Sequence, residues 1–352
     1  MDKVRIGIVG VQHFHVFSFL ETFSGRSHVE LVGVVEAEAE RCARLRKACD
    51  LPLFESLAEL VDRTHPDAVA LYNKPRERAA VISECARLGI HVWTDKPVAT
   101  TAEDLGRLKR AVAQNPIALM VTVAGGYGAR SARLKQMLES GELGDLAQYV
   151  SVGSHRFQLP AEFDWERPAW ASDWREAGGL ILDMAVHGIN EFRWLAGSPI
   201  VRVSAAHGNK RFPELPHFQD HCAVLLEAAS GAQALIQSSW LTPTAEPSHG
   251  RSASFLFGSK GYVEMVGSGI AHGLQARAGE AVATVVTDGA PPRPFRPDGS
   301  GARSAAEDFL AQVRSGERPL VDAGFYLETM RVALLAREAA DRGETIHLNL
   351  EC

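Results

Sequence analysis

Residues 5–17 read RIGIVGVQHFHVF. With Val4, the first part is an unbroken apolar run, the pattern of a strand buried on both faces. It stops at Gly10. After five residues that include Gln12, His13 and His15 comes VFSFLETF, a short amphipathic helix pattern. A strand, a tight turn and a helix N-terminus aim backbone N–H groups and the positive end of a helix dipole at one point, which is an anion site. A dinucleotide-binding loop starts this way, but in its G-x-G-x-x-G form a second glycine lets the pyrophosphate approach and a third lets helix and strand pack closely. Gln12 and His15 stand at those two positions. A strand followed by His-x-His is also how a metal hydrolase site can begin, so the stretch alone leaves two readings.

The surrounding chain decides between them. VELVGVV is a second strand that ends at Glu36, and EAERCARLRKACD, SLAELV, RERAAVISECARLG and TAEDLGRLKRAVAQN are helical, the second and fourth opened by Ser56–Glu59 and Thr101–Asp104 capping pairs. Between them DAVALY, IHVWT and IALMVTV read as strands. Strand and helix in strict alternation at short spacing predict parallel strands joined by crossover helices, a doubly wound α/β sheet over residues 1–124. Residues 125–352 read differently. QYVSVGSH, VRVSAAHG, CAVLLEA, AQALIQSSW, SASFLFG and GYVEMVG follow one another with little helix between them, as in an open, mostly antiparallel sheet with one covered face. One long helix, GLILDMAVHGINEFRWLAG, interrupts them; TDGAPPRPFRPDGSGAR reads as an exposed loop; and the end, with GFYLETMRVALLAREAADRG, is helical.

In this βαβ setting an acid at the end of the second strand can accept from the ribose hydroxyls of NAD and would repel the extra phosphate of NADP, the role expected of Glu36; the plain alternative is a solvated residue at a helix start. The N–H groups from Val11 through Gln12 and His13 to Phe14 are then expected to carry the pyrophosphate, with His13 and His15 turned into the cleft. A metal at the histidines would need further ligands with defined spacing; the other histidines are scattered, and the alternation stops far short of the eight units of a barrel hydrolase, so no metal is expected.

Two other places could carry chemistry. In HVWTDKPVATTAED, Lys96 lies just past a strand of the parallel sheet, where such sheets bind ligands. Asp95 precedes it, and Pro97 fixes the chain behind it. Beside a positive nicotinamide ring the lysine would lose its proton more readily and could serve in proton transfer; otherwise it is a loop lysine. In the long helix, Asp183, His187 and Asn190 fall at i, i+4 and i+7, a polar face on an otherwise apolar helix. Histidine is a natural general base near neutrality; the alternative is a satisfied core pair. Trp165, Trp170, Trp174 and Arg175 lie just before this helix, and His155 and His249 lie on expected loops; these, with His15 and Asn190, are the candidates for substrate contact.

The bulk properties set limits. The chain has 352 residues, 46% hydrophobic and 23% charged, enough for two ordinary domains. Its formal charge of -6 argues against nucleic acid or an anionic membrane as the main partner. Five cysteines, an odd number with no C-x-x-C pair, suggest free thiols in a reducing cytoplasm, and no apolar stretch is long enough to span a bilayer.

Taken together, Gly10 after the opening strand, Glu36, DKP at 95–97 in place of an E-K-P triplet, SGELGDL at 140–146 and GGLILDMAVH at 178–187 resemble the Gfo/Idh/MocA oxidoreductases, the family of glucose–fructose oxidoreductase and inositol dehydrogenase. The resemblance covers nearly the whole chain with the motifs in order. It implies an N-terminal Rossmann domain, a C-terminal α+β domain whose last helix packs back on the first, and NAD(P)-dependent hydride exchange with a secondary alcohol of a sugar, inositol or related polyol, with NAD expected ahead of NADP. Carried over by position, Lys96, Asp183 and His187 form the catalytic set, with His187 accepting the hydroxyl proton. The chain departs from the family pattern at Arg78, where a histidine is usual, at Gly125 and Gly126, where an arginine is usual, and at Asn190, where an aspartate is common. The resemblance also leaves room for an NAD-dependent glycoside hydrolase of the same fold or a non-catalytic dinucleotide- or sugar-binding regulator. The uncovered sheet face implies a homodimer or homotetramer.

Overall fold

The computed structural model describes residues 3–157, 167–246, 249–269, 282–297 and 301–348. The chain divides into two compact units. The first comprises residues 1–122, 167–171 and 304–327, and the second residues 123–166, 172–303 and 328–352. Contacts thus interleave the units along the chain, where the sequence suggested one cut near residue 124.

In the first unit six strands, β1 (Val4–Val9), β2 (Val29–Val35), β3 (Leu53–Phe54), β4 (Ala68–Leu71), β5 (His91–Thr94) and β6 (Leu119–Val121), alternate with α1 (His15–Phe23), α2 (Ala39–Ala48), α3 (Leu57–Thr64), α4 (Pro75–Arg87) and α5 (Ala102–Gln114). All strand pairs are parallel, in the order β3-β2-β1-β4-β5-β6. That is the doubly wound dinucleotide-binding order, with its reversal between β1 and β4. The apolar runs are explained by burial: Ile6, Ile8 and Val34 and all of β4 are shielded from solvent. Both expected caps form. Ser56 accepts from the N–H of Glu59 at 3.1 Å, and Thr101 from that of Asp104 at 3.1 Å; such a cap contributes about 1 kcal/mol.

In the second unit nine strands form one sheet, ordered β14-β13-β12-β11-β7-β10-β9-β8-β15. They are β7 (Leu146–His155), β8 (Ile200–Gly208), β9 (His221–Ala228), β10 (Gln233–Ser239), β11 (Gly250–Gly258), β12 (Gly261–Gly269), β13 (Val282–Thr287), β14 (Ala290–Pro294) and β15 (Ile346–His347). Every pair is antiparallel except β7 with β10. The other helices are α6 (Ala129–Glu139), α7 (Trp174–Ala177), α8 (Val186–Ala196), α9 (Ala305–Ser315) and α10 (Ala323–Arg342). In the first unit α9 packs against β1 and β6, and Tyr326 of α10 donates its hydroxyl to the sulfur of Met120 at 3.1 Å.

Two expectations are corrected. The stretch expected as a proline-rich loop contributes the β13–β14 hairpin, turned at Asp288–Gly289 with Gly289 at φ 75°. An Asp-Gly turn between paired strands is a strong hairpin signal. The prolines obscured it, but β14 is the last strand of the sheet, where a missing N–H costs no ladder bond. The long helix at 180–196 is not regular: Ile181–Ala185 form a π turn before α8 begins.

Candidate active site

The loop after β1 is tighter than its lost glycines suggest. Gly10 has φ 80°, and a Cβ there would come within 2.6 Å of the backbone of Asn73. Glycine is therefore required for the loops after β1 and β4 to meet at the reversal point of the sheet. The N–H groups beyond it are partly spent inside the protein. Gly10 donates to the carbonyl of Val35 at 2.8 Å, Val11 to Oε2 of Glu36 at 2.7 Å and Gln12 to the carbonyl of Tyr72 at 2.9 Å.

The Gln12 side chain fills the position of the second glycine with bonds of its own. Its Nε2 donates to Glu38 at 2.8 Å and to Glu36 at 3.3 Å, and its Oε1 accepts from the indole N–H of Trp170 at 3.2 Å. The expectation that the Val11 and Gln12 N–H groups hold a pyrophosphate is corrected accordingly. Glu36 also accepts the N–H of Glu38 on Oε1 at 2.9 Å. An ionised carboxylate has about four acceptor positions. Three are used here, so the group fits one ribose hydroxyl as it stands, and two only if Gln12 yields.

The histidines gather around Asp95. Its Oδ2 lies 3.0 Å from Nδ1 of His15 and 3.3 Å from Nδ1 of His13, and its Oδ1 accepts the N–H of Lys96 at 2.9 Å and the hydroxyl of Thr122 at 3.1 Å. Nδ1 of His13 also accepts the backbone N–H of His15 at 3.3 Å, so this nitrogen faces a donor and a carboxylate at equal distance. Burial, then the charge of His15, press the His13 imidazole well below its usual 6.5; Asp95 opposes the shift, and Lys96 and Arg167 add to it. Burial would push the Asp95 carboxyl up, but His15 and His13 outweigh it and hold the group well below the usual carboxylate range.

The argument against a metal rested on missing ligands, and the fold does bring one ligand atom each of His13, His15 and Asp95 within 4.8 Å of one another. A cation at that point would face the positive groups that already disfavour charge on His13, Lys96 and Arg167. The set is read as a hydrogen-bonded cluster.

Lys96 is buried, and its bond to Pro97 is cis. Sequence reasoning missed what lies beneath this loop. Arg78, 1% exposed, donates to the carbonyl of Pro97 at 2.9 Å and to that of Asn73 at 2.7 Å, tying the loops after β4 and β5 together.

In the second unit, Asp183 sits in the π turn and His187 in the first turn of α8. From Gly178 to Phe192 every residue is buried except these two. A π turn inserts an extra residue into a helix and is frequent at functional sites. Asn190 does not share their face, which corrects its assignment to substrate. It is fully buried, its amide donates to the carbonyl of Ala124 at 2.9 Å, and its Oδ1 accepts from Thr329 at 2.8 Å. Nδ1 of His187 accepts the N–H of Ala124 at 3.1 Å. In the neutral ring that contact leaves the proton on Nε2. Gly125, at φ 97°, lies where a Cβ would meet the backbone of Glu191 at 2.7 Å, so no side chain fits at that position.

The weaker substrate candidates disperse. Trp174 is exposed, beside the guanidinium of Arg337, and Arg175 is paired with Asp173 at the start of its own helix. His155, at the end of β7, packs edge-on to Trp240 and 4.9 Å from His249, in an aromatic cluster of the second unit. Trp165 lies outside the described residues.

Residues 4–123 match the profile of the oxidoreductase family with an NAD-binding Rossmann fold, and residues 131–264 that of the GFO/IDH/MocA C-terminal domain. The chain belongs to the GFO/IDH/MocA oxidoreductase family. An oxidoreductase of Salmonella typhimurium is 28% identical over 56% of this chain and 58% of its own length. Inositol 2-dehydrogenase of Burkholderia lata is 26% identical over 65% of each chain. The match thus spans less than two thirds of either relative. A crystal structure of an oxidoreductase from Erwinia carotovora atroseptica superposes with a TM-score of 0.84 at 24% identity, covering 96% of this chain and 99% of that one; it shows the fold.

Proposed function

We propose that this protein moves a hydride between a secondary alcohol of a sugar, inositol or related polyol and NAD. The observation that carries the reading is the meeting of the loops after β1 and β5 at the carboxyl ends of a doubly wound sheet, joined by the His15–Asp95 bond with Lys96 adjacent. Family membership and the likeness to an inositol dehydrogenase support the reaction class and the polyol. Bound NAD supplies the hydride acceptor. Gly10 and Glu36 fit it, the first through the close approach it permits and the second through its remaining acceptor position, which favours NAD over NADP. The pyrophosphate contact is assigned to the loop that runs through His13 and Phe14. Lys96, Asp183 and His187 are the polar groups for the substrate, with the lysine ammonium and the Nε2–H of His187 polarising its oxygen.

The test is a titration with NADH followed by a screen of sugars and inositols with NAD+. NADH fluorescence should change on binding, and Lys96→Ala should keep that change while losing a factor of about 10²–10³ in kcat, the usual cost of removing one donor that stabilises charge on the reacting oxygen. No fluorescence response, or full turnover by Lys96→Ala, sinks the reading.

A further inference from the structure

One buried side chain beside the β1 loop has no bonds of its own. Asn73 lies two residues past β4 and is 6% exposed, and among the described residues neither its Oδ1 nor its Nδ2 has a hydrogen-bond partner. We propose that Asn73 is a dinucleotide-binding residue, whose amide turns when the cofactor binds and donates from Nδ2 to the pyrophosphate. This rests on the NAD-dependent reaction proposed above and assigns a role within it.

The first argument is the state of the amide. Buried polar side chains are normally paired, and a buried amide without partners destabilises the fold. The main chain around Asn73 is firmly bonded. Tyr72 donates to the carbonyl of Val9 and accepts the N–H of Gln12, both at 2.9 Å, and the carbonyl of Asn73 accepts from Arg78 at 2.7 Å. Only the side-chain amide is left over. No hydrogen bond holds it in its present orientation, so turning it breaks none. A cofactor that offers it an acceptor relieves a cost that the protein bears alone.

The second argument is position, which also selects the ligand group. Glu36 follows β2 and Lys96 lies past β5, and the strands run β2-β1-β4-β5 across the sheet. With the adenosine ribose at Glu36 and the nicotinamide by Lys96, the middle of the dinucleotide crosses the reversal point between β1 and β4. Asn73 stands at that point: a Cβ on Gly10 would come within 2.9 Å of the Asn73 Cβ. Two helices begin beside it, α1 at His15 and α4 at Pro75, and neither N-cap residue, Phe14 or Lys74, makes a side-chain capping bond. Two such N-termini favour an anion between them. The β1 loop is short of donors for that anion, because the N–H groups of Gly10, Val11 and Gln12 are bonded inside the protein. A primary amide has two donors on Nδ2 and makes up part of the shortfall.

Asn73→Leu keeps the branched shape and removes the amide, and two measurements on the whole protein read the result. Without cofactor, its urea midpoint should be no lower than that of the wild type, because no bond is lost. Its NADH dissociation constant, followed by fluorescence, should rise at least about tenfold, the loss of a hydrogen bond to a charged group. In the wild type, the Asn73 side-chain ¹H–¹⁵N pair, identified by its loss in Asn73→Ser, should shift with NADH and with ADP-ribose, which carries the pyrophosphate, and not with adenosine. A lower midpoint of cofactor-free Asn73→Leu reveals a structural amide and overturns the proposal. So does an Asn73 pair that stays in place while other signals move with NADH. Wild-type NADH binding that Asn73→Leu leaves intact removes this assignment alone, whereas a wild type that binds no dinucleotide refutes the function proposed above and the assignment with it.

Discussion

His13 shows how one residue can be legible as a type and illegible as a role. Its neighbour two positions on, the strand before it and Gly10 place it in a ligand loop, and all three are local signals. Its environment is not local: Asp95, Lys96 and Arg167 converge on it from distant parts of the first unit. A consequence follows for stability. The folded-state pKa of His13 lies well below its usual 6.5, with burial the largest cause. Below that usual value the unfolded chain binds a proton that the folded chain refuses. The stabilisation is therefore complete above about pH 6.5 and is lost as the pH falls, at up to about 1.4 kcal/mol per unit. Denaturant midpoints measured from pH 7.5 to 5 should fall accordingly. His13→Gln should flatten the slope, although His91, shifted the same way by burial, retains part of it. An unchanged slope in His13→Gln contradicts this account. Gln12 gives the complementary lesson: its four bonds run to Glu36, Glu38, Trp170 and the carbonyl of Tyr72. No spacing rule links those residues, so a missing glycine looked like erosion when it is a bonded substitute.

At the scale of elements, what was readable is what the backbone dictates over short range. The parallel strands, the capped helices and the antiparallel run of the second unit follow from burial periods and from Ser56 and Thr101. The π turn was not readable. Its extra residue leaves the composition of GLILDMAVHGINEFRWLAG unchanged, and only the full burial of Asn190 beside the half-buried Asp183 and His187 reveals the shifted register. The role of Arg78 was not readable either, because an arginine on a helix is ordinarily a solvated charge, and this one is 1% exposed. It bridges two carbonyls at the ends of neighbouring strands. Hydrogen bonds to a charged group contribute about 1.5–3 kcal/mol each. Arg78→Met keeps the stem and removes both bonds. It should lower unfolding free energy by about 3–6 kcal/mol and weaken NADH binding, because Asn73 packs on Gly10 and Pro97 follows Lys96. Arg78→Lys should recover little, since one ammonium cannot reproduce the planar fork. Equilibrium unfolding and NADH titration of the three proteins decide it; Arg78→Met with wild-type stability removes the strap from the account.

At the scale of the whole molecule the second sheet has a face that its own unit leaves uncovered. The cross-strand register places Leu225 opposite Leu235, Leu235 beside Val150, and Val150 opposite Phe255, one apolar row across β9, β10, β7 and β11. Leu225, Leu235 and the nearby Val152 are 42%, 46% and 40% exposed, and Phe255 stacks on Phe257 along the same strand. These are central strands, where every backbone group is already paired, so the liability is apolar area and not an open edge. Contiguous apolar area marks an interaction surface, and a formal charge of -6 points away from an anionic lipid surface. A second copy of the same face satisfies it most simply, because two sheets stack about 10 Å apart through interdigitating side chains and an isologous contact closes on itself. We therefore expect a homodimer, or a tetramer built from it, with each newly buried leucine contributing about 1.5–3 kcal/mol. The double variant Leu225→Lys/Leu235→Lys places four charges in such a contact and should elute and scatter as a monomer, with far-UV circular dichroism unchanged because both side chains point away from the unit's own core. Light scattering that finds the wild type monomeric at micromolar concentration, or the variant still dimeric, rules out this face as the interface.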